Sequence, residues 1–274
     1  GGIAIGPLLG NYLGLVHSAL LYARPEVLRA FERLAAAGRV LEQWLGHSLA
    51  FIGEMAAAGF LPDFGVVAHA PYDYFADFMR GSKQAMLDLR RRPEKLLAAM
   101  DRMLAIHERT ILEAAGHTPC RTVFIPLHWG LDGFMSAAQF QRFFWPPLRE
   151  LIVRLIGHGL TPLVLWEGDC TTRLELIGDI PRGKAIYAFE RTDLELASRV
   201  LGGTVCLRRN VPASMFISGT PAEVADCCRR LIDTVGRDGG FIMDGGSGIP
   251  HEARADCVRA MFETTRSYGV YRRS

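Results

Sequence analysis

From residue 64 onward, six short runs of aliphatic and aromatic residues recur, and each stops on a polar or charged side chain. FGVVAH ends on His69, TVFIPLH on His128, TPLVLWE on Glu167, KAIYAFE on Glu190, TVCLRRN on Arg209 and Asn210, and GFIMD on Asp244. Runs of this length, rich in β-branched residues, read as buried strands. Between them apolar residues fall at helical spacing. One such stretch starts at Pro93, continues through Leu96, Leu97, Met100, Met103, Leu104, Ile111 and Leu112, and stops at Gly116. Strand alternating with helix predicts a parallel sheet with helices outside and all six polar endings on one side of it.

The helix boundaries carry their own signals. Ser136 to Gln139, Thr192 to Glu195 and Thr220 to Glu223 read as capping boxes, the last with Pro221 at the first helical position. Trp145-Pro146-Pro147 predicts a break before a helix resumes over Leu148 to Ile156. Earlier, Val27, Leu28, Phe31, Leu34, Leu41, Trp44, Leu45, Leu49 and Ile52 predict helix from Pro25 to Ala58, interrupted near Gly38, ended by Gly59 and packed on the sheet as scaffold. Residues 1–274 are expected to form one α/β domain, a helical part over 1–60 followed by strand-helix repeats over 61–274. The chain opens without methionine on GGIAIGPLLGNYLG, which reads as the middle of a protein, so a preceding segment is expected.

Composition narrows the class without naming a chemistry. Hydrophobic residues make up 49% and charged residues 22%, the balance of a globular protein with ample core. A net charge of +2 with no basic stripe argues against an electrostatic nucleic-acid binder, and no apolar run is long enough to span a bilayer. Six cysteines with Cys227 and Cys228 adjacent suggest reduced thiols, and with no signal peptide visible a cytoplasmic location is expected.

The strand endings supply the candidate chemistry. Glu167 follows Leu163-Val164-Leu165-Trp166, an apolar setting in which an unpartnered carboxylate is costly and its pKa rises. His128, Glu167 and Glu190 come from successive runs. Such a nitrogen-oxygen set suits zinc with one position open, with Cys170 as an extra ligand, or else forms an acid/base set that meets substrate directly. His128 has a structural alternative, holding the turn that contains Asp132 between Gly130 and Gly133. The stretch HAPYDYFADFMRG carries His69, Asp73, Asp77 and Arg80, of which His69 and Asp73 are substrate-binding candidates and Asp73 also a turn or cap residue. Arg209 and Asn210 would clamp a substrate carboxylate or pair with a neighbouring glutamate. Asp244 is a cleft carboxylate or a loop former. Asp169 reads as a helix cap or as a group that supports the site residues from behind. Gly245, Gly246 and Gly248 are no phosphate loop, because no Lys-Ser/Thr follows.

Several longer stretches, HWGLDGFMS, EGDCTTRLELIGDIPRGK, RNVPASMFISGTPAEV and GGFIMDGGSGIP with the closing helix through RSYG, resemble the uroporphyrinogen decarboxylase superfamily. APYDYFADFMRG and LRRRPEKLLAAMD fit as well, so the likeness runs from about Gly59 onward, and within the superfamily it is greatest to the branch of corrinoid-linked methyltransferases. The resemblance implies a TIM (β/α)8-type barrel with further strands toward its amino terminus and an active-site cleft at the carboxyl ends of the strands. It implies methyl transfer involving a methylated small molecule, by O-demethylation or with a thiol or corrinoid as the other party, with Glu167, His128 and Asp244 as the catalytic candidates. Cobalamin would sit on a separate corrinoid protein, and a homodimer is expected. In the methyltransferases zinc is commonly held by a His-x-Cys pair and a later Cys. Here those positions read Trp166-Glu167-Gly168 and Gly246-Ser247, a departure that puts a thiolate-rich site in doubt. The superfamily's other chemistry is cofactor-free decarboxylation of uroporphyrinogen, for which His69, Asp73 and Arg80 are candidates. A non-catalytic small-molecule-binding subunit is the alternative of another class.

Overall fold

The computed structural model describes residues 20–60, 62–245 and 248–271, with the backbone alone at Arg209 and Asn210. The chain forms two compact units, Gly1–Pro62 and Asp63–Ser274. In the first, Pro25–Ala57 is one helix, and the interruption expected at Gly38 does not occur. A lone glycine costs a helix only about 1 kcal/mol relative to alanine, too little to break a run this long. None of the described helices is long and apolar enough to cross a membrane.

The second unit is built on a six-stranded parallel sheet in which spatial order follows chain order. The strands are β1 (Val66–Val67), β2 (Thr122–Leu127), β3 (Thr161–Trp166), β4 (Ile186–Phe189), β5 (Cys206–Asn210) and β6 (Phe241–Asp244). Every apolar run singled out in the sequence is therefore a strand. Helical segments join each to the next: Pro71–Tyr74, Ser82–Arg91 and Pro93–Ala115 between β1 and β2, Ala137–Gly157 between β2 and β3, and shorter helices thereafter. This is the β/α repeat of the TIM-type barrel. Among the described residues the ladder stops at β1 and β6, so six of a barrel's eight strands are present and the ring is open.

Strand pleating decides which residues face the helices. In β2, Val123, Ile125 and Leu127 are fully buried, while Thr122, Phe124 and Pro126 on the other face are partly exposed. Leu127, Trp166 and Phe189 are mutually in register and all buried. Trp166 is the hub of that layer, edge-on to Tyr187 at 5.4 Å and stacked with Phe189 at 6.3 Å. Because side chains alternate, the next residue on each strand turns to the opposite face. Those next residues are His128, Glu167 and Glu190.

Two helix starts depart from expectation. The helix Leu194–Leu201 is capped by the Asp193 carboxylate accepting from the Leu196 N–H, not by Thr192. Thr192 instead accepts the Cys170 N–H through its hydroxyl at 2.9 Å and is buried there. The Trp145-Pro146-Pro147 stretch does not break its helix: a π-helical turn over Phe140–Phe144 leads directly into Trp145–Gly157. Prolines in a first turn lack only N–H groups that a relaxed preceding turn need not use. The capping boxes at Ser136 and Thr220 form as expected.

Candidate acid–base site at the strand ends

The rung of residues after Leu127, Trp166 and Phe189 carries the chemistry. The ring of His128 has its Nδ1 2.6 Å from Asp77 Oδ2, and its Nε2 lies 3.8 Å from Glu167 Oε1. The His128 side chain is 36% exposed and that of Glu167 40%, so the gap between them opens to solvent. Asp77 divides its carboxylate: the second oxygen accepts the indole N–H of Trp129 at 2.6 Å.

Asp77 is the residue missed in choosing candidates from the sequence. It reaches His128 because the helix begun at Pro71–Tyr74 widens into a π-helical segment over Phe75–Arg80. The available signal was the four-residue spacing of Asp73 and Asp77, which puts two carboxylates on one side of the segment that follows β1.

Asp73 lies beneath, fully buried, and accepts the backbone N–H groups of His128 at 2.8 Å and Trp129 at 3.2 Å. It anchors the end of β2, and having no exposed surface it cannot contact a substrate as expected. Burial pushes its carboxyl up, to about 7, against the two amides and the His128 charge. His69, also expected to bind substrate, is half-buried, packed edge-on against Phe78 at 5.0 Å. Burial lowers its pKa, and the His128 charge lowers it further.

The electrostatics of the pair follow from its neighbours. Desolvation works against the imidazolium of His128, but the hydrogen bond it donates to Asp77 and the charges of Asp73, Glu167 and Asp77 outweigh it, so His128 is raised above its ordinary value. Burial raises Glu167 as well, with the His128 charge pulling back and Glu190 and Asp77 adding to the rise. The two groups face each other at 3.8 Å, so the protonation of each shifts that of the other.

The remaining candidates have other partners. Glu190 turns its Oε2 to the Gly168 N–H at 2.7 Å. Asp132 accepts the N–H and hydroxyl of Thr172, each at 2.8 Å, and pairs with Arg173, whose Nε stands 2.9 Å from Oδ1. It fastens the turn after β2 to the turn after β3, with both oxygens engaged in doing so. Asp244, expected to be catalytic, accepts from Arg208 Nε and from the Gly245 N–H, while Arg208 also donates to both oxygens of Asp63 at 2.7 and 2.8 Å. It is part of an ion-pair cluster and not of the His128 set. Asp169 holds Thr171 through its N–H and hydroxyl. The side chains of Arg209 and Asn210 lie outside the described residues, as do Gly246 and Ser247.

The proposed ligand set of His128, Glu167 and Glu190 with Cys170 does not fit a zinc ion. Among the described residues no three His, Cys, Asp or Glu side chains are grouped to hold a metal. Glu190 is committed to a backbone amide. The Cys170 thiol is fully buried, with no surface toward the gap between His128 and Glu167. What the geometry does provide is a histidine oriented by one carboxylate and facing a second across an open gap, an arrangement able to give and take a proton at Nε2.

The model of the uroporphyrinogen decarboxylase family matches residues 22–268. Solved structures with the same fold include a methyltransferase from Methanosarcina mazei, superposing with a TM-score of 0.59 at 14% sequence identity over 76% of this chain. The matched part makes up 60% of that methyltransferase's length. No curated protein sequence matches.

Proposed function

The chain belongs to the uroporphyrinogen decarboxylase family, and on that premise we propose that it is a methyltransferase acting on a methylated small molecule, with the corrinoid of a separate protein as the other methyl carrier. The observation that carries this reading is the placement of His128 between Asp77 at 2.6 Å and Glu167 at 3.8 Å. In the demethylating direction a reduced corrinoid on the partner would supply the methyl acceptor, and the task of this chain's residues is to seat the ether and protonate the oxygen released when its carbon–oxygen bond breaks. The leaving oxygen, seated in the gap beside His128 Nε2, receives the imidazolium proton. Asp77 keeps the ring oriented and charged, and the Glu167 carboxylate facing Nε2 across the gap favours the imidazolium as well. The fold shared with the Methanosarcina methyltransferase supports the same reading.

The charge pattern favours it over uroporphyrinogen decarboxylation, which needs free guanidinium groups for a substrate bearing many carboxylates. Among the described side chains, three arginines that follow strands are engaged by carboxylates, Arg80 by Asp88 at 2.6 Å, Arg173 by Asp132, and Arg208 by Asp63 and Asp244, while Arg191 is exposed. Asp73, the aspartate candidate for that chemistry, is fully buried.

The test mixes the protein with cob(I)alamin and, in turn, methanol, a methylated amine and a phenol methyl ether, following methylcobalamin by its absorbance. Methyl transfer from one donor, reduced about a hundredfold or more in His128→Gln, is the expected result. Coproporphyrinogen formed from uroporphyrinogen, with no methylcobalamin from any donor, would overturn it.

A further inference from the structure

The loop after β2 is locked more firmly than a turn needs. Gly130 is buried, and a Cβ there would stand 2.5 Å from the Phe144 ring. The Asp132 N–H is held by the Asp169 carbonyl at 3.1 Å, and Arg173, only 3% exposed, binds the Leu131 and Met135 carbonyls while pairing with Asp132. Across the gap, a Cβ on Gly168 would meet Leu131 at 3.1 Å.

This rigid loop presents two aromatic rings that are not buried. Trp129 is partly exposed and Phe134 is 39% exposed, and the two pack at 4.4 Å and 70°. The indole N–H is already given to Asp77, the carboxylate that also holds His128, so Trp129 has no polar contact left to offer a ligand. It can offer only its π surface, held within one carboxylate's width of the catalytic imidazole. Apolar surface kept in a fixed orientation beside a reactive group is what a ring-binding platform requires, since no ordering cost remains to be met on binding.

We propose that the Trp129–Phe134 pair is the substrate platform of the His128 site, and that the substrate is a planar, uncharged aromatic ring whose methylated oxygen is presented to His128 Nε2. The ring is uncharged because the carboxylates of Asp77 and Glu167 flank His128 at 2.6 and 3.8 Å, so an added carboxylate meets like charge. The proposal rests on the methyl-transfer reading only for the direction in which the methylated oxygen points.

Calorimetric titration of the full chain with guaiacol and with 2-methoxycyclohexanol tests it, since the two probes share their oxygens and differ in planarity. Guaiacol binds about tenfold tighter or more, Trp129→Leu abolishes that preference, and Trp129→Phe retains most of it. Equal affinities in the wild type, or a preference that survives in Trp129→Leu, would overturn the inference. Should Trp129→Leu fail to fold by circular dichroism, Phe134→Leu takes its place, with a preference reduced about threefold or more expected and an unchanged one counting against. Guaiacol bound with the expected preference but never demethylated sinks the methyl-transfer reading and leaves the platform. Methanol demethylated with no ring preference does the reverse.

Discussion

Replacing Asp132 by alanine strands a buried cation. Arg173 is 3% exposed, its guanidinium lies 4.5 Å above the Phe140 ring, and Asp132 is its only carboxylate partner among the described residues. Removing one member of a buried ion pair costs about 3–5 kcal/mol, because the remaining charge has neither water nor a counter-ion. In a unit of about 200 residues each kcal/mol moves Tm by about 2–4 °C, so Asp132→Ala lowers it by about 6–20 °C. The opposite replacement is milder. In Arg173→Met the Asp132 carboxylate keeps both Thr172 hydrogen bonds and, at 16% exposure, some water, which limits the cost to about 1–2 kcal/mol. The double variant, with no charge left to strand, recovers more than half of the Asp132→Ala loss. Calorimetric melting of the three variants decides the matter. An Asp132→Ala loss below about 1 kcal/mol, or a double variant no more stable than Asp132→Ala, would refute the claim that this pair locks the loop.

Three other outcomes are expected. With His128 raised above 6.5, proton donation is complete at low pH and lost as pH rises through that higher value; Asp77→Asn removes the bond favouring the imidazolium, so the midpoint moves to lower pH, as NMR titration of the ring would report. An unmoved midpoint would contradict the role given to Asp77. Cys170 and Cys228, both fully buried with thiols pushed up to about 12 and about 11, stay unmodified by iodoacetamide at pH 8 and react only after denaturation, which peptide mass spectrometry reads directly. Gly130→Ala places a methyl against the buried Phe144 ring and destabilises by about 1–3 kcal/mol, with Phe144→Leu in the same chain restoring part of it; an unchanged melting curve would show the approach is not tight.

The strands were legible because each apolar run ends abruptly, and their common register then follows from pleating: Leu127, Trp166 and Phe189 bury together, so His128, Glu167 and Glu190 emerge together. What each emerging group would bind was not legible. Glu190 satisfies the Gly168 amide 22 positions away in the chain, and Asp77 reaches His128 across 51, contacts that no local pattern encodes. Thr192 shows the same limit on a smaller scale. Its spacing to Glu195 is right for a capping box, yet its hydroxyl is drawn to the Cys170 N–H and Asp193 takes over the cap. Asp73 was visible as a substrate contact or a turn or cap residue, and only its burial showed it to be an anchor.

The widened turn over Phe75–Arg80 makes Asp77's position a matter of residue count rather than residue type. An α-helix advances about 100° per residue, so a single deletion that returned this segment to α-helical winding would swing the carboxylate by roughly that angle away from both His128 and Trp129. The segment therefore holds one residue of slack whose loss would uncouple imidazole and indole at a stroke, with every side chain of the site still present. Substitution scans pass over such a dependence, whereas a length variant exposes it.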